Sequence, residues 1–154
     1  MRENGVLVEA RDLVVSFSTG GRTLRAVDGV NLSIKPGETV GLVGESGSGK
    51  TTLAKTVLRL YRPSSGALKF EGTDISKLGD AALKAYRRRM QMVFQDPLSS
   101  FNPRVRVGEA IALPLRLAHR FPSAAMAAKV EALLHRVGLG PQFVQRYPHE
   151  MSGG

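Results

Sequence analysis

The 154 residues suffice for one domain of ordinary size with a hydrophobic core. The absence of cysteine excludes disulfides and thiolate metal sites, and no apolar run nears the roughly 20 residues that span a bilayer. The net charge of +9 suggests an anionic partner, but the basic residues are dispersed, apart from Arg87-Arg88-Arg89, and lack interleaved aromatics, so no nucleic-acid partner is expected.

Residues 1–5 carry no apolar segment of signal-peptide type, so a cytosolic protein is expected. Leu7 to Phe17 alternates loosely and contains β-branched Val8, Val14 and Val15, the pattern of a strand closed by Thr19-Gly20-Gly21. Leu24 to Val27 and Val30 to Ile34 read as two further strands joined at the hairpin dipeptide Asp28-Gly29. Lys35-Pro36-Gly37-Glu38 is a turn that feeds an apolar strand, Thr39 to Val43. This pace of short strands implies an antiparallel sheet. A helix is expected over Lys50 to Leu60, burying Leu53, Val57, Leu58 and Leu60 and ending at Pro63-Ser64-Ser65-Gly66.

A short strand, Ala67 to Phe70, and a turn at Gly72-Thr73-Asp74 follow. Asp80 is placed to cap a helix reaching Arg89, and Gln91 to Phe94 reads as another short strand. Beyond Gln95-Asp96-Pro97 the pattern turns helical. Val107 to Leu117 is one helix, with Pro114 as a kink or break. Ser123 is the expected N-cap of a second, with Val130, Leu133, Leu134 and Val137 as its buried stripe and Gly138 and Pro141 as stop signals. The histidines, His119, His135 and His149, stand too far apart to suggest a metal site.

The chemistry is concentrated at Gly44-Glu45-Ser46-Gly47-Ser48-Gly49-Lys50-Thr51-Thr52, where positions 44 to 51 fit G-x-x-x-x-G-K-[ST] between a predicted strand and a predicted helix. Glycines allow the tight turn that aims backbone N–H groups at an anion, and the following helix N-terminus adds partial positive charge. Lys50 supplies a mobile charge for the β- and γ-phosphates, and the Thr51 hydroxyl a ligand for Mg²⁺. At glycine's usual frequency the four fixed positions arise by chance in roughly one chain in two hundred of this length.

The order of later motifs narrows the class. Gln95 stands 45 positions after Lys50, a helical block follows, and Ser152-Gly153-Gly154 comes last. That order resembles the ATP-binding subunit of an ABC transporter, with its phosphate loop, glutamine loop and Ser-Gly-Gly signature. The stretches AVDGVNLSIKPGETVGLVGESGSGKTTLAK, VFQDPLSSFNPR at 93–104 and RYPHEMSGG at 146–154 are similar to the subfamily that imports dipeptides and oligopeptides, with nickel and glutathione relatives. Met151 replaces the usual leucine, a change of little consequence in size or polarity.

The resemblance implies roles for particular residues. Phe17 matches the aromatic position that stacks on adenine, and Val27 the apolar residue beneath the base. Gly44, Glu45, Ser46, Gly47, Ser48, Gly49, Lys50, Thr51 and Thr52 would bind the phosphates, Thr52 reaching the α-phosphate. Gln95 matches the residue that contacts Mg²⁺ and the attacking water and senses the membrane subunits, so Lys50 and Gln95 are the candidate catalytic residues, with Thr51 and Gln95 on the metal. Ser152, Gly153 and Gly154 match the signature, which caps the γ-phosphate held by the opposite subunit. In the family, the general base and an acidic Mg²⁺ ligand follow the signature, beyond residue 154. These residues alone are therefore expected not to hydrolyse ATP at a useful rate, and the strand before the loop, Val40 to Val43, is expected to keep at least one unpaired edge and uncovered apolar faces.

The expected fold is α/β, an incomplete P-loop NTPase core of the ABC ATPase kind. Residues 1–95 would form an antiparallel β subdomain plus the P-loop lobe, and residues 96–154 a helical subdomain ending at the signature. The implied function is to energise import of peptides or related small solutes across the cytoplasmic membrane, with ATP and Mg²⁺ as cofactors. Implied partners are integral membrane permease subunits, a second ATP-binding subunit and, indirectly, an extracytoplasmic solute-binding protein. The implied location is peripheral, on the inner face of the cell membrane. One alternative is a fragment that binds nucleotide or permease without hydrolysis. Another, a P-loop kinase, needs lid arginines and leaves Ser152-Gly153-Gly154 unexplained.

Overall fold

Alternation of apolar residues along Val8–Thr19 makes the first strand, β1, and it sends Leu13 and Val15 into the interior while Asp12 stays in solvent. The computed structural model describes residues 5–96, 100–118 and 122–151. The chain divides into two compact units, Met1–Met92 and Val93–Gly154.

The first unit is built on a four-stranded antiparallel sheet. After β1 come β2 (Arg22–Ile34), helix α1 (Lys50–Val57), β3 (Ser65–Phe70), β4 (Thr73–Asp74) and helix α2 (Asp80–Arg87). The strand order is β2-β1-β3-β4. Leu13, Val15, Val27 and Leu68 pack with Leu53 of α1 and with Ile75 and Leu83 further on. The second unit holds α3 (Val107–Ala118) and α4 (Ser123–Arg136), followed by short 3₁₀ turns at Pro141–Gln145 and Pro148–Glu150. Its core is Val107, Ala112, Met126, Val130 and Leu134, closed by Phe143 and Val144.

Several local expectations are corrected. Asp28-Gly29 is not a hairpin: the β1–β2 turn lies at Gly20-Gly21, and β2 runs unbroken past Asp28 and Gly29. Leu13 pairs with Val30 but Val15 with Val27, so β2 carries one extra residue there, a β-bulge with Gly29 at φ 64°. A second bulge on β1 at Asp12 is fastened by Asn31, whose Oδ1 accepts from the Asp12 amide at 2.9 Å.

Thr39 to Val43 and Gln91 to Phe94 are not strands. A strand needs a ladder, and among the described residues no strand pairs with either segment. Their apolar side chains stay in solvent, Val43 at 95% and Val93 at 85% exposure.

Helix α1 ends earlier than its apolar pattern suggests because Arg59 adopts φ 55°, and Leu60 is left exposed while Thr56 is buried instead. Helix α2 starts after Gly79, so Asp80 is its first residue rather than its cap, and its carboxylate pairs with Arg87 at 2.8 Å. Helix α3 accommodates Pro114 without breaking. In α4, Pro122 holds the cap position, Met126 joins the buried stripe, and Val137 lies outside it in solvent.

Candidate functional site

Gly44 to Thr52 runs from a loop into the first turn of α1, and the loop's own backbone organises its one long cation. The Ser48 amide donates to the Glu45 carbonyl at 3.2 Å, closing the loop tip. Helix α1 then starts at Lys50, with the Leu53 amide donating to Gly49 O at 2.8 Å. The Lys50 ammonium folds back over the loop and donates to Gly44 O at 2.8 Å, Glu45 O at 2.5 Å and Ser48 Oγ at 3.2 Å. All three of its protons are used, on neutral oxygens.

Two glycines make this geometry possible. Gly49, the N-cap of α1, sits at φ 90°, and a Cβ there would stand 2.2 Å from the Ala26 carbonyl oxygen of β2. The loop is thus pressed onto the sheet at a point where only glycine fits. Gly47 has φ 80° but open space around it, so its requirement is conformational alone.

The electrostatics favour an anion. The first turn of α1 has no acidic residue and its cap makes no side-chain hydrogen bond, so the leading N–H groups keep their partial positive charge. Thr51 is exposed on that turn, and Thr52 is half-buried. A polyphosphate could replace the loop carbonyls as acceptor for Lys50 while taking N–H bonds from the loop. The residues present therefore fit a phosphate chain, and the exposed Thr51 hydroxyl fits a hard cation such as Mg²⁺. Among the described residues, no cluster of three or more His, Asp or Glu offers a metal site of its own.

The remaining sequence-predicted residues are placed less uniformly. Val27 is only 5% exposed and belongs to the sheet core, with its Cγ2 3.9 Å from where a Gly49 Cβ would stand. Phe17 is half-buried near the end of β1 and meets Tyr61 edge-on, ring centroids 5.3 Å apart. Gln95 lies exposed at a bend in the second unit. Ser152, Gly153 and Gly154, and likewise Pro97, Leu98 and Ser99, lie outside the described residues.

Sequence reading missed Ala26, whose carbonyl bounds the loop, and Arg59. The Arg59 guanidinium is buried and donates to three carbonyls, Ile75 at 2.8 Å, Leu78 at 3.0 Å and Tyr61 at 3.4 Å. Its burial, then Arg62 and Arg87, lower its pKa from the usual arginine value. The signal that could have found it is a long cation within an apolar helix end, which must either reach solvent or be paid in hydrogen bonds.

Comparison with known proteins bears on the same residues. A family model described as "ABC transporter" matches residues 27–154. The oligopeptide transport ATP-binding protein AppF of Bacillus subtilis (strain 168) is 50% identical over 132 residues, covering 85% of this chain and 40% of AppF. YkfD of the same strain is 45% identical over 150 residues, covering 96% of this chain and 46% of YkfD. The chain thus spans less than half the length of these relatives. Among solved structures, the ATP-binding cassette MJ0796, in a dimeric post-hydrolysis state bound to ADP and Pi, superposes with a TM-score of 0.81 at 26% identity, covering 95% of this chain and 63% of the cassette. The antiparallel sheet, the loop leading into α1 and the helices of the second unit are therefore part of an ABC ATPase cassette fold. Sequence, fold and loop agree: the chain belongs to the ABC transporter family.

Proposed function

We propose that this chain forms the nucleotide-binding part of a subunit that uses ATP to drive import of peptides or related small solutes across the cytoplasmic membrane. The observation that carries the reading is the Gly44–Thr52 loop, with Lys50 Nζ poised on three loop oxygens at the uncapped start of α1. In this reading Lys50 moves from the loop carbonyls to the β- and γ-phosphate oxygens, and the amides of residues 45–52 take the rest of the phosphate chain. Thr51 holds Mg²⁺, which when bound neutralises the charge between the β- and γ-phosphates. Phe17 stacks on adenine above the apolar seat that Val27 completes.

Gln95 reports nucleotide state to the membrane subunits, and Ser152, Gly153 and Gly154 close over the nucleotide of a second ATP-binding subunit. The dimeric form of the solved cassette supports that pairing. The name of AppF supports oligopeptides as cargo. Among the described residues no helix is long and apolar enough to cross a membrane. In this reading permease subunits provide the passage, with a solute-binding protein delivering cargo outside.

The test is oligopeptide uptake by cells in which this protein is the sole ATP-binding partner of its permease. Lys50→Ala should abolish uptake while the protein remains present at the membrane. Undiminished uptake with the variant would overturn the proposal.

A further inference from the structure

The half-buried ring of Phe17 sits close to the β1–β2 turn, where two strands meet solvent and Gly20-Gly21 give little to hold them. Something must fix that ring if it is to offer a constant face to a base. The structure supplies a brace. Leu13 and Val15 point into the core, and Phe17 continues the same face of β1 at the period-two spacing of a strand. There it meets Tyr61 at an interplanar angle of 80°. Whichever ring supplies the edge, a perpendicular pair leaves at least one face of Phe17 uncovered by its partner.

Tyr61 is itself held from three directions. Its amide donates to Lys55 O at 3.3 Å, and its carbonyl accepts from Arg59 Nη1 at 3.4 Å. The Lys55 ammonium stands 5.5 Å from its ring centroid. The segment that follows is stitched to β1: the Ser64 amide donates to Val14 O at 2.8 Å, and Ser64 Oγ accepts from the Ser16 amide at 2.9 Å. These bonds lie immediately before Phe17 on its own strand, so the two rings keep one register.

From this geometry we propose that Tyr61 is a positioning residue for Phe17, holding its ring so that one face receives the adenine of the nucleotide. The inference rests on the reading in which Phe17 stacks on the base. It adds a link between the exit of α1 and the base site, while the entrance of the same helix holds the phosphates. Lys55 contributes by seating Tyr61.

The experiment separates base from phosphate affinity by titrating the intact protein with Mg²⁺-ATP and with inorganic tripolyphosphate. Tyr61→Leu should weaken ATP roughly three- to tenfold, the worth of one edge-to-face pair, and leave tripolyphosphate unchanged. Tyr61→Phe, which keeps the ring, should bind both ligands as wild type does. If Tyr61→Leu fails to fold, Tyr61→Met carries the same expectation. Equal losses for both ligands would show a merely structural role and overturn the proposal. So would unchanged ATP affinity in Tyr61→Leu alongside weakened ATP affinity in Phe17→Leu. If Phe17→Leu itself leaves ATP affinity intact, the base-stacking reading fails first and the brace has nothing to position.

Discussion

Replacing Gly49 by alanine tests how the phosphate loop is seated on the sheet. The added Cβ would stand 2.2 Å from the Ala26 carbonyl oxygen, where ordinary contact begins at 3.4 Å, so loop or strand must move by about an ångström. The carbonyl belongs to the backbone of β2 and cannot swing aside as a side chain would. At φ 90° an L-residue also bears a conformational cost of roughly 1–2 kcal/mol. Overpacking against fixed atoms adds about 1–3 kcal/mol. Together these remove about a third of the roughly 5–15 kcal/mol that holds an ordinary domain.

The displacement falls on the N-cap of α1, beside Lys50, so nucleotide affinity should drop with stability. Gly47→Ala is the matched control: φ is 80°, but nothing lies within 4 Å of the new Cβ, so only the conformational cost applies. Denaturant unfolding with and without Mg²⁺-ATP reads both effects. Gly49→Ala should lose at least 2 kcal/mol, about twice the loss of Gly47→Ala, and most of its stabilisation by ATP. Equal losses in the two variants would refute the argument from close approach.

Arg59→Ala should destabilise by about 3 kcal/mol or more, since three carbonyls lose a charged donor at a buried site. Arg59→Gly should recover about 1 kcal/mol of that at φ 55°, and an alanine variant as stable as the glycine one would contradict the backbone part of the account. Asp74 accepts from the Ser76 hydroxyl at 2.5 Å and the Ser76 amide at 2.8 Å, and these bonds, the hydroxyl's first, hold its carboxyl below the ordinary value. Its contribution is therefore present above about pH 4 and lost as pH falls through the lowered value. Stability measured against pH should show a shallower acid limb in Asp74→Asn, and an unchanged limb would dismiss it.

The loop was legible in the sequence because a phosphate cradle is local. Its glycines, its lysine and the first turn of the helix behind it lie within nine residues, and the backbone geometry follows from them. Helices α3 and α4 were legible for the same reason, through their apolar spacing. The bulge at Asp28-Gly29 was not, because the same dipeptide serves a hairpin or a bulge and only the register of β1 decides between them. Val40 to Val43 and Gln91 to Phe94 have the composition of strands, yet strand formation depends on a neighbour that composition does not supply. Arg59 and Tyr61 act through contacts to residues 75, 78 and 17, which no spacing along the chain reveals.

The central claim is that Gly44 to Thr52 holds a nucleoside triphosphate with Lys50 on its phosphates. Calorimetric titration of Mg²⁺-ATP into wild-type protein and Lys50→Ala tests it most directly. Lys50 is half-buried and, among the described residues, its side chain bonds to its own loop, so the variant should melt close to wild type. The account predicts saturable binding by wild type and a loss of roughly 10- to 100-fold in the variant, the worth of a charge-assisted hydrogen bond to phosphate. Equal affinity in the two folded proteins, or no binding by wild type, would contradict it.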